Sequence, residues 1–211
     1  MTLFRLDASI RTEGSVSREI ADLVEQSWRD GHPDERIVRR HVGTEPIPAT
    51  YWAAATSARF TPAEKLTDEQ QAATALAATL VDELAGADAL LFAVPLYNFG
   101  VSQHFKAYVD LVVTDPRMGP GEPLLKGKPA ELVTVRGGSY GPGTPRDGWD
   151  HSTGWIRRIL QDVWQVDLAV VETEFTLAGV NPALDEFKEL GAKLRAESEA
   201  LARLHGAVLS A

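Results

Sequence analysis

There is no cysteine anywhere in this 211-residue chain. That absence excludes a disulfide framework, a thiolate nucleophile and every cysteine-based metal site, and it fits a reducing compartment. Positive charge is also short: 21 Lys and Arg stand against 30 Asp and Glu, for a net charge of -9. Such a surface repels phosphate backbones and anionic bilayers, so neither nucleic acid nor membrane is expected as a partner. No apolar run is long enough to span a bilayer, and the opening Met-Thr-Leu-Phe-Arg-Leu-Asp lacks the basic flank and long apolar core of a secretion signal. The expected location is the cytoplasm. Two common nucleotide fingerprints, Gly-x-Gly-x-x-Gly and Gly-Lys-Ser/Thr, are missing as well, which leaves no support for a Rossmann dinucleotide site or an ATP loop. No metal is expected.

What is present is enough apolar material, 44% of residues, to build one sizeable core, and a single domain is expected over residues 1–211. Short apolar runs alternate with helical patterns: residues 3–8 and about 15–30; 35–42; about 67–85 and 89–97; 102–113 and 130–136; about 150–163 and 167–175; and 182–206. Alternation of this kind predicts an α/β fold, a parallel sheet with helices on both faces. The run from Ala89 to Val94 is the most apolar and reads as a central strand, ending near Tyr97 because Pro95 has no N–H for a ladder. Ser102 is placed to cap the next helix, whose Phe105, Val109 and Val112 share an inward face. Tyr108, Leu111 and Val113 lie off that stripe, which reads either as a subunit contact or as a helix buried on two sides within one subunit. Residues 43–62 (Pro46, Pro48, Pro62) and 114–129 (Pro116, Pro120, Pro123, Pro129) read as irregular pocket walls.

In an open parallel sheet, ligands gather beyond the carboxyl ends of the strands. The first such end runs from Asp7 to Ser17 and opens a helix. Its Ser15 is placed to cap that helix, the free amides near Val16 to Arg18 carry the positive end of the dipole, and Ser9, Ser15 and Ser17 add hydroxyls. This suits a phosphate, although a serine-rich cap taken alone is an ordinary cap. The end at Thr134–Gly141 carries Gly137 and Gly138, which let backbone approach a flat ring; taken alone they are a plain turn. Between them Tyr97-Asn98-Phe99-Gly100 offers aromatic edges and amide hydrogen bonds. Together the three ends describe a phosphate at one side and a polar, planar ring at the other, the shape of flavin mononucleotide (FMN).

The same residues resemble the FMN-dependent NADH-azoreductases, quinone reductases of flavodoxin-like fold, over nearly the whole chain. The likeness rests on Asp7-Ala8-Ser9-Ile10 with Ser15-Val16-Ser17, Pro46-Ile47-Pro48, Pro95-Leu96-Tyr97-Asn98-Phe99, Lys106 to Val112, Gly127-Lys128 and Arg136-Gly137-Gly138. It implies a five-stranded flavodoxin-like three-layer sandwich, a homodimer with active sites at the subunit interface, and bound FMN. It further implies reduction of quinones or azo compounds at the expense of NADH or NADPH, by ping-pong two-electron (hydride) transfer through flavin N5 with no catalytic side chain. By position, Ser9, Ser15, Val16 and Ser17 would hold the phosphate. Leu96, Tyr97, Asn98 and Phe99 would lie along the ring, with a backbone amide near Asn98 facing N5. Val135, Arg136, Gly137 and Gly138 would meet the pyrimidine edge, with a backbone contact at Val135 because relatives often carry Ser there. Tyr140 stands where some relatives carry a His near the substrate, and Tyr51, Trp52, Trp149 and Trp155 either line an acceptor pocket or pack elsewhere. A flavodoxin-like FMN-binding electron carrier or regulator without small-molecule turnover is the alternative. Two long wall segments argue against it.

Overall fold

The computed structural model describes residues 1–119, 121 and 123–209. Pro120, one of the turn formers above, and the last two residues of the expected domain lie outside them. Among the described residues the strands are β1 (Thr2–Asp7), β2 (Arg36–His41), β3 (Ala89–Pro95), β4 (Pro129–Val135) and β5 (Asp167–Thr173). They form one sheet in the order β2-β1-β3-β4-β5 with every pairing parallel, the flavodoxin-like arrangement expected. Every residue of β3 is buried, as a strand covered on both faces must be.

Helices α1 (Val16–Gly31) and α6 (Lys188–Val208) cover one face. They bury Leu3, Leu91, Ala93, Val133 and Val171 with Ile20, Val24 and Trp28. Helices α2 (Tyr51–Ala58), α3 (Asp68–Gly86), α4 (Gln103–Val112) and α5 (Thr153–Arg157) cover the other, over Phe4, Leu6, Leu90, Phe92, Val94 and Leu132. Alternate strand residues thus feed two separate cores, which is the period-two rule applied to a sandwich. The strand order reverses between β1 and β3, and the helices that follow those two strands leave on opposite faces. A crevice therefore opens at that point beyond the carboxyl ends.

Three expectations need correction. Residues 43–62 contain a helix, α2, too short and alanine-rich to show a periodic stripe. The helix expected over about 150–163 is a short α segment that widens into a π-helix over Arg158–Val163, and the one expected over 182–206 opens as a 3-10 turn over Pro182–Phe187 before α6 begins. On α4, Tyr108 and Leu111 are fully buried in their own subunit, so the second of the two readings for that helix holds for them; Val113 alone stays 37% exposed.

Candidate functional site

The loop after β1 is braced from beneath. Arg5 and Asp7 point toward α1, both buried, and Arg5 grips Asp7 through two bonds of 3.1 Å while reaching Asp22 at 2.6 Å and Glu25 at 3.1 Å. Burial works to raise the Glu25 carboxyl, but its bonds from Arg39 and the charge of Arg5 outweigh it and hold the pKa below the usual range. Above this network Ser15 occupies the N-cap position of α1, with extended backbone, yet its hydroxyl makes no cap bond. It lies 3.3 Å from the Ser17 hydroxyl instead. Ser9, Ser15 and Ser17 are all at least nine-tenths buried. A helix start whose serine leaves the leading amides uncapped is a seat for an anion.

The turn after β3 is a two-residue hairpin. Gly100 N–H donates to the Tyr97 carbonyl at 2.9 Å, and Asn98 and Phe99 both take left-handed backbone, with φ of 48° and 65°. Two successive positive φ values make this a type I′ turn, one that glycine or asparagine accepts readily and phenylalanine does not. Neither the Asn98 nor the Phe99 amide has a partner among the described residues. Local strain that leaves unbonded donors at a strand end points to a ligand. The Tyr97 hydroxyl meets the Ser9 hydroxyl at 3.2 Å and accepts from Ile10 N–H at 3.2 Å. Ser102 caps no amide; its hydroxyl donates to the Ala8 carbonyl at 3.3 Å. Both contacts tie the first and third strand ends together.

The ends of β4 and β5 are joined by a different device. The Arg136 side chain faces away from the crevice and pairs with Asp150 at 2.7 Å, Glu172 at 2.9 Å and Glu174 at 3.2 Å. Glu174 also accepts from the Ser139 hydroxyl at 2.6 Å and Tyr140 N–H at 3.1 Å. Burial raises the Asp150 carboxyl, and bonds from Thr153 and Ser152 with the charge of Arg136 reverse this, leaving its pKa lowered. The Val135 carbonyl, where a ligand contact was expected, accepts from Leu96 N–H at 3.0 Å.

A cleft of about 240 Å³ occupies the crevice. It brings together Ser9, Ser15, Val16, Ser17, Leu96, Tyr97, Val135 and Gly137 from the expected set. Arg11, Thr176 and Leu177 line it too. Thr176 and Leu177 follow β5 and were missed; reading the fifth strand end with the other three would have found them. A Cβ on Gly137 would come within 2.6 Å of Leu177, so the bare glycine fits that wall closely. Asn98, Phe99, Arg136 and Gly138 stand outside the lining: Asn98 and Phe99 at the adjoining turn, Arg136 in its ion cluster, and Gly138 beneath Arg146. A larger cavity, about 500 Å³ lined by Val113, Arg117, Met118, Leu125, Val163 and Trp164 among others, lies toward the amino ends of β4 and β5 and is remote from this rim. Uncapped amides and hydroxyls at one end, with unbonded amides and a bare glycine at the other, fit an anion joined to a flat polar ring. These residues accordingly fit FMN.

Comparison with known proteins places the chain among relatives. A family model described as flavodoxin-like fold matches residues 1–197. A curated FMN-dependent NADH:quinone oxidoreductase of Frankia casuarinae is 42% identical across 98% of this chain and 99% of its own length. Its namesake from Frankia alni is 40% identical, over 97% and 98%. Among solved structures, the azoreductase AzrA superposes with a TM-score of 0.79 at 18% identity, covering 99% of this chain and 100% of that one. An FMN-dependent NADH-azoreductase of Bacillus anthracis, solved in complex with FMN, gives 0.73 at 16% identity over 100% and 99%. At those identities the solved structures show the fold alone.

Proposed function

The chain belongs to the flavodoxin-like fold family, and from that premise we propose that it is an FMN-dependent NADH:quinone oxidoreductase. The observation that carries this reading is the cleft where the uncapped serine loop and the left-handed Tyr97–Gly100 turn face one another. The full-length likeness to the Frankia enzymes supports it. When bound, FMN supplies the centre that accepts two electrons from a reduced nicotinamide and passes them to an acceptor.

The protein's part is position and electrostatics. Ser15, Ser17 and the leading amides of α1 bind the phosphate, with Ser9 held in place by the Tyr97 hydroxyl. The free amides of Asn98 and Phe99, at the turn beside the cleft, would be the donors for the polar edge of the ring, and Leu96, Val135 and Gly137 would pack along it. Arg136 positions the β4 and β5 loops through its carboxylates and lies outside the cleft lining. Phe99, Tyr140 and Trp149 form the aromatic wall beyond the ring, with Phe99 at 6.1 Å from Tyr140 and 5.3 Å from Trp149. Exposed Trp52 and Phe60 support a homodimer. No helix among the described residues is long and apolar enough to cross a membrane.

The test is spectroscopic. Protein incubated with FMN and desalted should stay yellow, NADH should bleach it without oxygen, and a quinone should restore the colour, with an azo compound as a second acceptor arm. A colourless protein removes the flavin reading. A yellow one that NADH leaves unchanged is the electron carrier instead.

A further inference from the structure

We propose that Arg146 selects the electron acceptor, favouring flat aromatic molecules that carry an anionic substituent such as a carboxylate or sulfonate. The proposal rests on the quinone reductase reading above and assigns a side chain to its acceptor half. Arg146 sits in the segment that joins Gly138 to α5. Its guanidinium carbon is 5.7 Å from the centre of the Phe99 ring and 6.0 Å from that of Tyr140. Its Nη1 approaches the Tyr140 hydroxyl at 3.5 Å and would stand 3.9 Å from a side-chain carbon built on Gly138. The cation therefore lies over the backbone next to Gly137, which lines the cleft, and against the aromatic wall two residues beyond Tyr97.

What sets this arginine apart is its place over two aromatic rings with no carboxylate beside it; Arg11, in the cleft lining, also lacks an acid partner but lies over no ring among the described residues. Glu174 is taken by Arg136, Ser139 and Tyr140, Asp150 by Arg136 and Thr153, and Glu172 by Arg136 and Arg157. Asp147 is next in the chain and makes no ion pair with Arg146. Among the described residues no acid neutralises it, in a chain whose net charge is -9. The side chain is exposed, so an anion can reach it, and the two rings beneath its guanidinium favour that position for the planar fork. Trp149, whose backbone N–H donates to the Arg146 carbonyl at 3.1 Å, turns its indole edge-on to Phe99 and supplies a further flat surface. An aromatic acceptor resting against these rings would bring a ring substituent within reach of the fork.

The donor also carries anions, in its pyrophosphate, so the test separates the two sources. FMN-loaded wild type, Arg146→Gln and Arg146→Lys are compared in three measurements. In the first, 1,2-naphthoquinone-4-sulfonate and unsubstituted 1,2-naphthoquinone serve as acceptors. Arg146→Gln should lower kcat/KM for the sulfonate by about tenfold through KM, the loss of one charge-assisted contact, and leave the neutral quinone unchanged. Arg146→Lys should recover part of the loss, and salt should shrink the wild-type preference. In the second, stopped-flow bleaching by NADH should be the same in all three proteins. In the third, calorimetric titration with redox-inert naphthalene-2-sulfonate should show weaker binding in Arg146→Gln, with 2-naphthol unaffected. Equal loss for both quinones, no loss for either, or a defect confined to the NADH step overturns the proposal. If no quinone is turned over, the function falls, and the inert sulfonate still decides the role of Arg146.

Discussion

Tyr97 shows what a residue type tells and what it withholds. As an aromatic at a strand end it reads as a ring for packing against a cofactor, yet in the fold its hydroxyl is what counts, fastened to Ser9 and Ile10. Replacing Tyr97 by Phe keeps the ring and removes both bonds. FMN affinity is expected to fall about fivefold, the worth of one modest hydrogen bond of about 1 kcal/mol. A fluorescence titration measures this, with the melting temperature of the FMN-free protein little changed. Ser9, Ser15 and Ser17 were legible as lining of one cleft only because two other strand ends were read with them, since serines before a helix are by themselves ordinary caps. Arg136 was legible by position but not by role, since its partners at 150, 172 and 174 meet it only once β5 is paired.

Helix α1 gives a sharper test, because its N-cap residue does not cap. Removing a serine that caps a helix costs about 1 kcal/mol of stability. Ser15→Ala should therefore change urea unfolding of the FMN-free protein by less than about 0.5 kcal/mol, the range of a substitution that breaks no such bond, while FMN binding weakens several-fold. A full capping loss without an effect on FMN would show that the serine serves the helix and not a phosphate. Strands and long helices were readable from their periods, and β3 from its unbroken apolar run. The covering of α4 was not: periodicity marks which faces are apolar and is silent on whether a neighbour in the same chain or another subunit hides them. Tyr108 and Leu111 are hidden by their own chain.

At the scale of the whole molecule, stability should depend on pH through one buried acid. Glu131 on β4 is fully buried beneath α6, and burial pushes its pKa up to about 8, against the pull of the Val171 amide. Its carboxyl meets His205 at 2.8 Å, and burial lowers the pKa of that imidazole, so the two face each other as a neutral pair. Between the ordinary value of 4.5 and about 8 the folded chain holds a proton at Glu131 that the unfolded chain has released. Stability therefore falls as pH rises through that window, by up to about 1.4 kcal/mol per unit. His205 acts in the opposite sense, but only below its usual 6.5. Glu131→Gln should thus raise the melting temperature at pH 8, do little at pH 5, and flatten the decline from pH 7 to 8; thermal scans at the three values decide it.

The Arg136 cluster also has a bearing on how such a protein changes over time. Because Glu174 and Asp150 moor the two ends of residues 139–149 to the same guanidinium, the stretch hangs like a replaceable panel between fixed posts. On the proposed function, mutations in it would retune which oxidant is accepted, while the proposed cofactor seat, latched separately through Tyr97 and Ser102, would be inherited intact. A laboratory that wishes to redirect this scaffold would graft there first.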